Sequence, residues 1–109
     1  MSFSSVVNEF RNALPGTDAF KRVGVQCEQI IRTAPEQAAM CFFISEFCRA
    51  YVSFYEDQEV SPELALKVQA QLLGYMDVLE AALSKGDSRS LSGALNEVVK
   101  AYVGSRGSV

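Results

Sequence analysis

Residues 38–55 read AAMCFFISEFCRAYVSFY, and this stretch narrows the chain to few folds. Only Ser45, Glu46, Arg49 and Ser53 are polar without an aromatic ring. The segment is too apolar for a helix with one wet face, yet Glu46 and Arg49 interrupt it too centrally for a membrane span. It reads as the central helix of a small bundle, packed on more than one side.

The rest of the chain repeats a compatible rhythm. Apolar residues recur at alternating steps of three and four: Phe3, Val7, Phe10, Leu14; then Phe20, Val23, Cys27, Ile30; then Met40, Ile44, Phe47, Tyr51, Phe54. The pattern continues with Ala65, Val68, Leu72, Tyr75, Leu79, Ala82 and with Leu91, Leu95, Val98, Tyr102. Each set falls on one helical stripe. No stretch alternates with a period of two. The fold class is therefore all-α, with helices expected near 3–14, 17–33, 34–57, 62–85 and 88–103. The arrangement expected is an antiparallel bundle of four main helices plus a short N-terminal helix.

Punctuation supports those limits. Pro15-Gly16 breaks the chain. Thr33-Ala34-Pro35-Glu36 has the form of a capping box. Ser61-Pro62-Glu63 is a second start, with Ser61 as N-cap. Gly86 suits a left-handed stop, and Asp87 or Ser88 caps the next helix. The segments near 34–57 and 62–85 are the longest, so they are expected to form a hairpin turned at 57–61. Residues 1–104 read as a single helical domain, and 105–109 as a flexible C-terminal tail.

Composition bears on function mainly by exclusion. At 109 residues the chain is long enough to bury a core without disulfides or metal. It contains no histidine and no tryptophan. That removes a Ser-His-Asp triad, a Cys-His pair and histidine-ligated haem from this chain. Phosphate-loop, GxGxxG and CxxC patterns are missing. Neither a catalytic constellation nor a cofactor or metal site is expected. The net charge of −3 opposes nucleic-acid binding, which draws on a basic face. The opening Met1-Ser2-Phe3 lacks the features of a secretory leader. Three cysteines lie in apolar patterns, as reduced thiols of a cytoplasmic protein do. Cys41 and Cys48 lie two turns apart on one helix, ~10 Å by helical rise, beyond disulfide reach.

Two features remain as candidates for an interaction surface. One is the least apolar strip of the 38–55 helix, where Phe42, Glu46 and Arg49 align; its plain explanation is a solvated stripe with one ion pair. The other is the corner after it, where Tyr55 is followed by Glu56, Asp57 and Glu59; its plain explanation is a solvated acidic turn. Hydrophobic residues make up 49% of the chain, and the central helix carries more of them than one core stripe needs. Phe42 and Tyr55 in particular face away from that stripe. Surplus apolar surface beside localised charge suggests self-association, or a protein partner with a basic surface. The expectation is a non-catalytic protein–protein interaction module, such as an adaptor, small chaperone or immunity-type inhibitor, acting as a homodimer. The alternative is a small-molecule sensor or carrier domain. Its cavity between the third and fourth helices would be lined by Tyr51, Tyr55, Tyr75, Met76 and Arg49.

Overall fold

The computed structural model describes residues 1–107. They form α1 (Phe3–Arg11), α2 (Thr17–Thr33), a 3₁₀ turn (Pro35–Gln37), α3 (Ala38–Tyr55), α4 (Pro62–Leu83) and α5 (Ser88–Gly107). No strand occurs among the described residues.

Most helix ends follow the local chemistry. Ser61 accepts from the Leu64 N–H at 3.1 Å, and Pro62 occupies the first turn of α4, where no N–H is needed. Gly86 sits at φ 79°, a left-handed position that closes the α4–α5 turn and that a Cβ would strain. Asp87 then caps α5, accepting from the Ser90 N–H at 2.6 Å and from its hydroxyl at 2.9 Å. Ser2 and Ser5 form a reciprocal cap at the start of α1.

Three expectations are corrected. Thr33 does not open a helix: it ends α2, its hydroxyl donating back to the Gln29 carbonyl at 3.1 Å. Pro35 forbids a helical Ala34, so the chain passes through one 3₁₀ turn before α3 begins. That turn shortens α3 to 18 residues, fewer than α4 and α5. Leu14, placed on the first apolar stripe, lies outside α1 and is 88% exposed. The helix stops at Arg11, and the Asn12 side chain donates to the Asn8 carbonyl at 2.9 Å. The buried Gln69 of α4 takes up two further carbonyls, those of Phe10 at 2.9 Å and Ala13 at 3.1 Å. This ties α1 to α4 through a polar group that the sequence pattern hides among apolar neighbours.

At the C-terminal end, α5 continues through Gly107, so residues 105–107 of the expected tail are helical. Residues 108 and 109 lie outside the described residues.

The core is continuous and reaches every helix, with Phe3, Phe10, Phe20, Met40, Ile44, Leu72, Met76 and Leu79 fully enclosed. Pairing differs from the expected α3–α4 hairpin. The most extensive helix contact is α2 with α3; α4 packs chiefly on α5, and α1 bridges α2 and α4. Side-chain size explains this. Gly24 of α2 faces Cys48 of α3 so closely that an added Cβ would lie 3.9 Å from the Cys48 Cβ. On the other flank, Phe43 and Phe47 of α3 meet Tyr75 of α4 and Tyr102 of α5 at ring separations of 5.5–6.0 Å. These rings act as spacers, and the α3 and α4 backbones come close at few positions.

Candidate functional site

The last two turns of α3 run beyond the ring spacers, and open surface begins there. Tyr51 is buried and stacks on Phe20 of α2 with centroids 3.9 Å apart. Tyr55 leans on Tyr51 at 4.9 Å and remains half-buried. Burial, with Tyr55 alongside, pushes the Tyr51 phenol above its ordinary value.

Two depressions meet at these tyrosines. The larger, about 750 Å³, lies between α3, α4 and α5 and is lined by Phe47, Tyr51, Phe54, Tyr55, Val68 and Tyr102, with Glu46, Gln71 and Arg106 among its polar groups. Arg106 stands over the Tyr102 ring at 5.6 Å. The smaller, about 450 Å³, lies between the α1–α2 turn and the start of α4, among Pro15, Thr17, Tyr55, Val60, Pro62 and Leu66. Both are open to solvent. Phe54 is 71% exposed and Leu66 56% exposed, large apolar side chains left uncovered at one end of the molecule.

Phe54 belongs to the stripe expected in the core, and its exposure is a correction. It lies two heptads after Met40, and a straight helix drifts about 20° per heptad from a 3.5-residue repeat. The buried arc of α3 is also drawn toward Cys41 and Cys48 because α2 covers that flank. Both effects turn Phe54 out and Tyr55 partly in.

The charges around this end are mainly acidic. Glu56 pairs with Lys21 of α2, and its carboxylate holds the Lys21 ammonium above the usual value, with Asp18 and Asp57 adding to the field. Asp57 and Glu59 project from the turn, and Glu63 from the first turn of α4, all exposed.

The structure divides the sequence-derived surface into two parts. Tyr55, Glu56, Asp57 and Glu59 belong to the end just described. Phe42, Glu46 and Arg49 form an exposed strip farther back on α3, with Phe42 60% exposed and Arg49 pairing with Glu46 at 3.3 Å. Such an exposed i, i+3 pair contributes about 0.3 kcal/mol. Glu46 links the two parts, because it also lines the larger depression. The lining expected for a cavity between the third and fourth helices separates likewise. Tyr51 and Tyr55 line open surface, Met76 is wholly enclosed, Tyr75 belongs to the ring spacers, and Arg49 borders a groove on the α2 side. Phe54, Val68, Tyr102 and Arg106 escape the sequence reading as site residues. Their common signal is position, at the distal ends of helices where core stripes outrun the core.

The cysteines lie at the α2–α3 seam, all buried and free. Contact with Cys41 and burial push the Cys27 thiol well up, and the same contact eases Cys41 down. Burial pushes Cys48 up to about 12. Cys27 and Cys48, held protonated in this way, are poor nucleophiles. Among the described residues, no group of three or more acidic or cysteine side chains is placed to hold a metal ion. No described helix is long and apolar enough to cross a membrane. No protein-family model matches the chain, and no curated protein or solved structure is significantly similar to it.

Proposed function

We propose that the protein is a cytoplasmic, non-catalytic interaction module that docks a basic, amphipathic segment of another protein at the distal end of α3. The observation that carries this reading is the pair of open depressions joined at Tyr51 and Tyr55, with Glu56 lining the smaller, Glu46 and Arg106 lining the larger, and Asp18, Asp57, Glu59 and Glu63 exposed on the adjoining segments. A groove floored by rings and open along its length suits the apolar face of a helix or extended segment. The surrounding carboxylates favour Lys or Arg on that segment's polar face and disfavour acidic competitors. Lys21 is held by Glu56 and Arg106 stands over Tyr102, so self-association through this end would set the remaining exposed carboxylates against one another, and a basic partner fits it better than a second copy does. The supporting frame is inferred to be an antiparallel bundle, since the short connections at 12–16, 34–37, 56–61 and 84–87 favour reversal between consecutive helices.

The test is fluorescence anisotropy with a labelled synthetic helix bearing Leu on one face and Lys on the other, beside its Glu-for-Lys counterpart. The Lys peptide should bind, the Glu peptide should not, and added salt should weaken binding. Phe54→Ser should lower affinity at least about fivefold, as truncation of an aromatic anchor does. Equal binding of both peptides would overturn the proposal. So would absence of binding together with a dimer in sedimentation equilibrium that Phe54→Ser dissolves.

A further inference from the structure

A third depression lies at the opposite end of α3, and its chemistry is different. It encloses about 460 Å³ between the 3₁₀ turn, the start of α3 and the α4–α5 turn. Its apolar lining comes from Met40, Leu83, Leu91 and Leu95. That volume and lining fall within the range of small-molecule sites.

Two polar features give this cleft a preference. Gln37 lines it, and the Gln37 Oε1 is buried without a hydrogen-bond donor from the protein. A buried acceptor left unpaired is costly and is rare in folded proteins. A ligand N–H that reaches this oxygen would satisfy it. The charged side chains in the lining are Glu36 and Asp87, both carboxylates. The Ser90 N–H and hydroxyl hold the Asp87 carboxyl below its usual range, so it remains ionised. Lys85 and Arg89 do not line the cleft, although the Lys85 charge acts on Asp87 from outside it and leaves Glu36 as the carboxylate less offset.

We propose that this cleft binds a small cationic amphiphile, a protonated amine carried on an apolar body. The ammonium donates to Gln37 and lies in the field of Glu36 and Asp87, while the tail covers Met40, Leu91 and Leu95. An anionic amphiphile of equal length gains the same apolar contact but meets two carboxylates. This site is independent of the docking end, which lies at the other end of α3.

The test is a ¹H–¹⁵N NMR titration of the full chain with octylammonium, with octanoate as the charge-reversed control, both below their aggregation concentrations. Octylammonium should give saturable shifts at Gln37, Met40 and residues 86–92, at least about tenfold tighter than octanoate. Glu36→Gln should weaken it roughly threefold, in line with one exposed ion pair. Gln37→Leu should weaken it about fivefold, in line with loss of a hydrogen bond to a charged group. Both variants should keep the parent spectrum elsewhere, which excludes misfolding as the cause. Equal binding of octanoate, or no saturable shift at these residues, would overturn the proposal. Shifts centred on residues 55–63 would also overturn it, since the amine would then be drawn to the acidic end.

Discussion

The two flanks of α3 are built from different side chains, and the difference accounts for where open surface arises. Against α2 the contact runs through Gly24, Cys27, Cys41 and Cys48, with Phe20 stacked on Tyr51 toward one end, and the backbones approach closely. Against α4 and α5 it is made through Phe43, Phe47, Tyr75 and Tyr102, which hold the helices apart. Small residues let the two backbones approach, although an open groove of about 350 Å³ still borders Gly24 and Cys48. Large rings fill the middle of a gap and leave its ends open, because ring spacers cover only the turns that carry them. The docking end begins where the rings run out.

The largest expected effect comes from the residue that joins the two flanks. Phe20 stacks on Tyr51, meets Phe10 edge-on at 5.2 Å and lies over Phe47 at 6.5 Å. Phe20→Ala should cost about 4 kcal/mol, read from urea unfolding as a fall in midpoint at unchanged slope. A loss under about 1 kcal/mol would mean that the stack does not hold α2 and α3 together.

The close seam can be probed next by changing side-chain size at two positions. Cys27→Leu should lose about 2 kcal/mol by overpacking, because Cys27 is wholly enclosed at the seam. Gly24→Ala should gain up to about 1 kcal/mol, because a Cβ there makes an ordinary contact and alanine favours the helix. If Cys27→Leu is tolerated as well as Gly24→Ala, the seam is not closely packed and the contrast between the flanks fails.

A smaller effect should follow from pH at the α4–α5 turn. The Ser90 backbone N–H, then its hydroxyl, lower the Asp87 pKa from its usual 3.8. A carboxyl shifted down on folding stabilises the protein above its unfolded value and loses that contribution as pH falls through the folded value. Asp87→Ala should therefore be less stable than the parent near neutrality, with the gap narrowing below pH 3.8. A gap constant down to about pH 2 would show that the ionised cap contributes nothing. The smallest change is expected at Phe54: a largely exposed ring adds little packing beyond its contact with Tyr55, so Phe54→Ser should alter stability by less than about 0.5 kcal/mol while impairing docking. A larger loss would make Phe54 a structural residue.

Much of this is legible in the sequence because it is written in local rules. Helix class comes from the three–four spacing, and the Ser61, Gly86 and Asp87 boundaries come from capping chemistry. Thr33 misleads because a Thr-x-x-Glu pattern fits a helix start equally well when the threonine ends the preceding helix. Tertiary facts are hidden. Nothing local in Gln69 shows that it takes up carbonyls of α1 across the core. The pairing of α2 with α3 depends on Gly24 meeting Cys48, a match between two distant positions. Of the candidate site, the acidic corner and Tyr55 are visible as surplus, whereas Phe54 reads as core until the length of the neighbouring helices is known.

The central claim, that the open end of α3 is the docking surface and the seam with α2 is not, is tested most directly by mapping the Lys/Leu helix onto the protein. A ¹H–¹⁵N NMR titration should shift Tyr51, Phe54, Tyr55, Leu66 and Tyr102 and leave Gly24, Cys27 and Cys41 unmoved. Shifts concentrated at the seam, or spread evenly over both flanks of α3, would contradict it.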